Sequence, residues 1–268
     1  MTDACYRGAV PPRHHRRAGD SRRLRGGERA AIKTRLVEYR HGDIPCEGFL
    51  AWDGSAGGPR PAVAISHTWA GRGDFEEQRA LRLAELGYVG FATDLYGRGR
   101  RGSGREENAA LMKPLLEDRP LLQRRIAHAV DALRRQPEVD ATRVAAMGYC
   151  FGGLCVLDLA RTGYELRGVV SFHGLFGAPG NTDGKRITAR VLCLHGYDDP
   201  MVPPHSVLEL ASELTAAGAD WQIHAYGNTV HAFTNPNASD AAMGTVYDAT
   251  ADRRSWRALL GFLEEVFE

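Results

Sequence analysis

The sequence has no apolar run approaching the roughly 20 residues that a membrane-spanning helix needs. It has no CxxC and no HExxH pattern, so the common spacings of a zinc site are absent. Cysteine is sparse and odd in number: positions 5, 46, 150, 155 and 193 are scattered through otherwise apolar stretches, which excludes a disulfide framework and fits a reduced, cytoplasmic setting. Charge of one sign is also lacking, since 34 Lys and Arg stand against 33 Asp and Glu. There is no internal repeat. Neither a metal nor a cofactor nor a membrane partner is expected.

The near-neutral total conceals an uneven distribution. Residues 1–30 carry eight Arg against three acids, so this head is basic and the remainder is mildly acidic. The head is almost empty of large aliphatic side chains. It cannot bury enough surface to offset the entropy of ordering it, and the expectation for residues 1–30 is disorder. A basic arm could tether nucleic acid, but the rest of the chain offers no support for that, and a nucleic-acid partner is not expected.

From about residue 31 onward one domain is expected, because 268 residues that are 43% hydrophobic can bury a sizeable core. TRLVEYR and GFLAW flank a turn at His41 to Pro45 and read as an antiparallel hairpin. Short apolar runs then alternate with segments of helical period. The strands are AVAIS (62–66), VGFATDL (89–95), RVAAMGY (143–149), GVVSF (168–172), RVLCLHG (190–196) and WQIHAY (221–226). The helices fall at about 75–86, 106–135 with a break near Pro120, 152–162, 204–217 and 252–267. This alternation predicts an α/β fold, a mostly parallel sheet with helices on both faces. In such sheets ligands bind beyond the carboxyl ends of the strands, so those ends are where chemistry should be sought.

One strand end is unusual. Val144 to Tyr149 runs directly into Cys150-Phe-Gly-Gly153, so G-x-C-x-G-G sits between a strand and a helix. This is the pattern of a nucleophile elbow with Cys in place of Ser. The nucleophile of an elbow occupies a strained, very tight turn, and Gly148 and Gly152 remove Cβ atoms that would collide there. The helix that begins behind the sulfur would favour a thiolate and offer amides to a developing oxyanion. Taken alone, Cys150 reads equally well as a small buried hydrophobe at a strand end.

The order of the polar residues downstream of Cys150 separates the two readings. The strand RVLCLHG ends in Tyr197-Asp198-Asp199-Pro200, and WQIHAY leads into a loop containing His231. Nucleophile, acid and base therefore appear in the chain order an α/β-hydrolase requires. Either aspartate could instead cap the next helix, and His231 could be one of ten histidines satisfied locally.

Together GYCFGG, HGYDDPMVPP, the histidine of VHAF and the FATDLYGRG run resemble the dienelactone hydrolase family, cysteine-dependent members of the α/β-hydrolase superfamily. The resemblance covers nearly all of residues 31–268 and implies the α/β-hydrolase fold. It places the nucleophile on Cys150, the acid on Asp199 with Asp198 as its rival, and the base on His231. It implies oxyanion donors at the backbone N–H of Phe151 and of Trp69. Apart from the resemblance, residues at the strand ends give His67, Thr68, Tyr96 and Phe233 as expected substrate contacts. Two departures stand out. The dienelactone enzymes carry a glutamate just after the first core strand, where this chain reads Ser66 to Gly71 without a carboxylate, and Thr234 and Asn235 stand near the place of the family's substrate-binding arginine.

The expectation is therefore a hydrolase of a small ester or lactone, acting through an acyl-thioenzyme on Cys150. The alternative is a catalytically silent or redox-sensing protein that has kept the fold.

Overall fold

The computed structural model describes residues 31–55 and 57–268. The expectation for residues 1–30 lies outside the described residues.

Strands β1 (Ile32–His41) and β2 (Ile44–Asp53) form the hairpin, closed by Gly42 in the left-handed region. They continue into β3 (Arg60–Ser66), helix α1 (Asp74–Glu85), β4 (Val89–Ala92), α2 (Arg105–Glu117), α3 (Arg119–Arg134), β5 (Val139–Tyr149) and α4 (Phe151–Arg161). Then come β6 (Gly168–Phe172), β7 (Arg190–Gly196), α5 (Pro204–Ala216), β8 (Trp221–Tyr226), the short β9 (Ser239–Asp240) and β10 (Thr245–Val246), and α6 (Ala249–Phe267).

The main sheet has the order β1-β2-β4-β3-β5-β6-β7-β8, and β2 runs against the other described strands. The expected α/β-hydrolase architecture is present. Residues of β4, β6 and β7 are almost continuously buried, as strands covered on both faces must be. Leu83 and Ala80 of α1 pack with Trp256, Leu259 and Leu263 of α6 on one face. On the other, Leu122 and Ile126 of α3, Leu154 and Leu157 of α4 and Leu210 of α5 share a second core.

The chain steps from β3 outward to β4 and then returns past β3 to begin β5. This reversal is a topological switch point, and it opens a crevice between the carboxyl ends of β3 and β5. The elbow cysteine lies there.

Some boundaries differ from the sequence reading, among them the start of β5, at Val139 rather than 143. β4 stops at Ala92 because Asp94 turns the chain: its Oδ1 accepts the N–H groups of Tyr96 and Gly97, and its Oδ2 that of Glu47. The break expected near Pro120 falls at Asp118, whose carboxylate caps α3 by accepting Leu121 N–H. The last helix starts three residues early because Asp248 accepts the amides of Thr250 and Ala251.

Helix α4 is buried along its whole length. Its apolar residues explain most of this, but Asp158 and Arg161 are buried as well. Arg161 donates to Asp158, to both oxygens of Glu213 and to the Phe176 carbonyl, while Arg119 makes two 2.6 Å bonds to Asp158. Charges so enclosed are tolerable only when paired in this way.

Candidate active site

Cys150 occupies the one-residue bend between β5 and α4 at φ 56° and ψ −117°, outside the regions that non-glycine residues ordinarily adopt. The sequence permits the bend through its glycines. A Cβ at Gly148 would lie 2.1 Å from the Gly152 carbonyl oxygen, and one at Gly152 would lie 2.2 Å from that of Ser66. Backbone atoms cannot yield at such distances, so the close approach of α4 to β3 and β5 requires glycine at both positions.

The structure brings His231 and Asp199 together. Nδ1 of His231 lies 2.7 Å from Oδ2 of Asp199, and the other carboxylate oxygen accepts Met201 N–H at 2.8 Å. Both side chains are buried. Asp198 is exposed and makes no side-chain contact with His231; its backbone N–H pairs with the Thr229 carbonyl. The histidine loop is held from the far side by the small ribbon β9–β10. His231 N–H donates to the Gly244 carbonyl and its carbonyl accepts Val246 N–H.

Nε2 of His231 is buried and has no hydrogen-bond partner among the described residues. Burial disfavours a charged His231, but the nearby Cys150 and the bond to Asp199 outweigh burial and raise the imidazolium to about 10. Cys150 and His231 thus face each other at the carboxyl ends of β5 and β8.

Both residues line a cavity of about 480 Å³. Trp69, Phe75, Met112, Leu175, Met201 and Met243 make much of its wall. Arg105, the arginine of that wall, is paired at 3.4 Å with Asp240, another wall residue.

The amides of Phe151 and Trp69 make no hydrogen bond among the described residues. Phe151 opens α4, where N–H groups have no intrahelical acceptor. Thr68 also reaches the cavity wall. His67, Tyr96 and Phe233, expected to meet the substrate, are buried and lie outside the lining of this cavity. His67 uses both ring nitrogens on backbone, with Nδ1 on the Thr68 carbonyl at 2.6 Å and Nε2 accepting Leu95 N–H at 3.2 Å. Tyr96 stacks on Phe151 and donates its hydroxyl to the Trp69 carbonyl at 3.0 Å. Phe233 packs edge-on against His173.

Sequence reasoning missed His173. It lies at the carboxyl end of β6 with φ 37°, lines the cavity, bonds Thr234 Oγ1 through Nε2 at 2.8 Å and stands edge-on to His231. Burial holds its imidazole well below the usual histidine value, so it is neutral. Applying the strand-end rule to every core strand would have found it. Segment 235–245 was missed for a better reason: apart from Met243 its wall residues are polar or small, and they carry no periodic signal.

Among solved structures, a dienelactone hydrolase-like promiscuous phosphotriesterase from metagenomic libraries is 39% identical and superposes with a TM-score of 0.84, covering 89% of this chain and all of that one. A dienelactone hydrolase described as putative, from Klebsiella pneumoniae, shares the fold at a TM-score of 0.73 and 24% identity, over 87% of this chain and 99% of that one. A putative carboxymethylenebutenolidase of Aquifex aeolicus is 25% identical over 85% of this chain and 97% of its own length. Residues 46–267 match the dienelactone hydrolase family as a whole, a span that holds the elbow, the Asp199–His231 pair and the cavity around them, and the chain belongs to that family.

Proposed function

We propose that this lactone or ester hydrolase works through a covalent thioester on Cys150, with His231 as base and acid and Asp199 as the group that orients it. The observation that carries the reading is the buried 2.7 Å bond from His231 to Asp199, with the opposite ring nitrogen left unpaired beside the elbow cysteine. Asp199 accepts from Nδ1, which leaves Nε2 for the sulfur and stabilises the imidazolium.

The steps follow from these positions. The Cys150 thiolate attacks the carbonyl carbon, and the oxygen, now an oxyanion, takes the N–H groups of Phe151 and Trp69. The intermediate collapses, the carbon–oxygen bond to the leaving group breaks, and His231 protonates that oxygen. Water then gives a proton to His231 and attacks the thioester; collapse of the second intermediate expels the thiolate and releases the acid.

The wall supports a substrate class. Its aromatic and thioether side chains favour an apolar group, and Arg105 is neutralised by Asp240, so uncharged esters and lactones fit better than carboxylate-bearing ones. A thiolate is itself a good leaving group, so the first intermediate goes forward only when the substrate's own leaving group is stabilised. Enol esters, aryl esters and activated lactones satisfy this. The same uncharged cavity suits a neutral phosphotriester as a second reading, the class named for the metagenomic relative.

No helix among the described residues is long and apolar enough to cross a membrane. The unpaired cysteines 46, 155 and 193, all buried, support a reducing cytoplasmic setting.

The test is hydrolysis of a panel of uncharged aryl esters, enol esters and lactones, with mass spectrometry of acid-quenched enzyme. A Cys150-bound acyl group and total loss of turnover in Cys150→Ala are expected. Turnover that persists in Cys150→Ala would refute the mechanism.

A further inference from the structure

Glu76 is a buried carboxylate that the reaction above leaves without a task. It lies in the first turn of α1, is 2% exposed, and has no cation within hydrogen-bond reach among the described residues. Its two oxygens accept two backbone N–H groups, Oε2 that of Gly73 at 2.9 Å and Oε1 that of Thr68 at 3.1 Å. The first of these is ordinary helix capping. The second reaches out of the helix to the turn that carries the candidate oxyanion donor.

That turn is fixed peptide by peptide. The N–H of Thr68 is held by Glu76 and its carbonyl by His67 Nδ1. A trans peptide points its C=O and N–H in opposite directions. With the Thr68 carbonyl pinned by His67, the N–H of Trp69, which belongs to the same peptide plane, must point the other way. The Trp69 carbonyl is in turn held by Tyr96. Of these three side chains that grip the turn, Glu76 is the carboxylate, and it grips the plane preceding the donor.

We propose that Glu76 is a positioning residue for the oxyanion hole: as a carboxylate it holds the Thr68–Trp69 turn in the shape that aims the Trp69 N–H at the substrate oxygen, and its protonation relaxes that aim. The sequence shows no carboxylate between Ser66 and Gly71, and the fold delivers one to the same turn from α1. The proposal rests on the Cys150 hydrolysis reading.

The surroundings make the charge state of Glu76 sensitive to pH. Burial pushes it up to about 7, against the pull of the two amides. The groups near it are Arg101 from the loop after β4, Tyr149 from the end of β5, and Asp74, Glu77 and Arg79 on its own helix. Protonation at either oxygen weakens its acceptance from an amide and leaves Thr68 or Gly73 poorly satisfied.

The experiment is Glu76→Gln, read in two ways. Hydrolysis of an uncharged aryl ester needs the oxyanion hole, whereas alkylation of Cys150 by iodoacetamide needs only the thiolate and His231. Glutamine keeps the size but turns one acceptor into a donor facing an N–H. The expected result is a fall in kcat of roughly 10- to 100-fold with KM within about twofold, and an unchanged alkylation rate. The wild type should show an acid limb near pH 7 in hydrolysis that is absent from its alkylation profile and from the variant's residual activity. Wild-type kcat in the variant, or a parallel fall in both reactions, overturns the proposal while leaving the Cys150 mechanism standing. Retained hydrolysis in Cys150→Ala would remove both. Should Glu76→Gln fail to fold, the wild-type comparison decides: hydrolysis and alkylation that share one pH profile overturn the proposal.

Discussion

Asp199 reaches His231 across the ends of β7 and β8, whereas its neighbour Asp198 faces solvent. The turn after β7 buries Asp199 and exposes Asp198, so only Asp199 is placed to orient the ring. Asp199→Asn should lower kcat by about 10³- to 10⁴-fold with little change in KM, because the amide no longer fixes the ring's tautomer. Asp198→Asn should stay within about twofold of wild type. Steady-state kinetics on an uncharged aryl ester compares them, and equal losses would contradict the assignment.

The pH behaviour follows from the same bond. Burial works against the imidazolium of His231, but Cys150 and Asp199 outweigh it and raise the group to about 10, so the imidazolium should persist at neutral pH and be lost only as pH rises through that value. Asp199→Asn removes one of the two favourable causes. The titration of the His231 ring, followed by NMR, should therefore move to lower pH in the variant, and an unmoved titration would show that Asp199 does not support the charge on His231.

Gly152→Ala tests the elbow as a matter of space. The new Cβ meets the carbonyl oxygens of Ser66 at 2.2 Å and His67 at 2.6 Å, and neither can move without breaking the β3 end. The variant should lose about 3 kcal/mol of stability or fail to accumulate as folded protein. Urea denaturation with an unchanged midpoint would mean that the close approach of α4 to β3 is not required.

Arg105 and Asp240 provide a test of selectivity. Their pairing neutralises the arginine of the cavity wall. Asp240→Asn should release Arg105 and raise kcat/KM for a carboxylate-bearing lactone by about fivefold relative to an uncharged one, an advantage that shrinks with added salt. A ratio that does not move would place the selectivity elsewhere in the wall.

Much of this was legible in the chain itself. Strands β3 to β8 and their helices could be read because apolar runs buried on both faces leave an unmistakable pattern, and the elbow could be read because its glycines are demanded by local sterics between neighbours in sequence. The order of Cys150, Asp199 and His231 is likewise a property of the chain, since each comes after a core strand. Only the folded molecule puts Asp199 and not Asp198 against His231, since the two differ by one residue in a turn whose shape the sequence does not print. It also set His67, Tyr96 and Phe233 outside the lining of the cavity, because aromatic and polar side chains at strand ends look alike in sequence whether they face the cavity or the core. Glu76 shows the limit most plainly. Its distance in sequence from Thr68 is eight residues, but the hydrogen bond between them exists only because α1 begins where the turn ends. Local sterics and strand periodicity are written in the order of residues, while the meeting of side chains from different elements depends on how those elements pack.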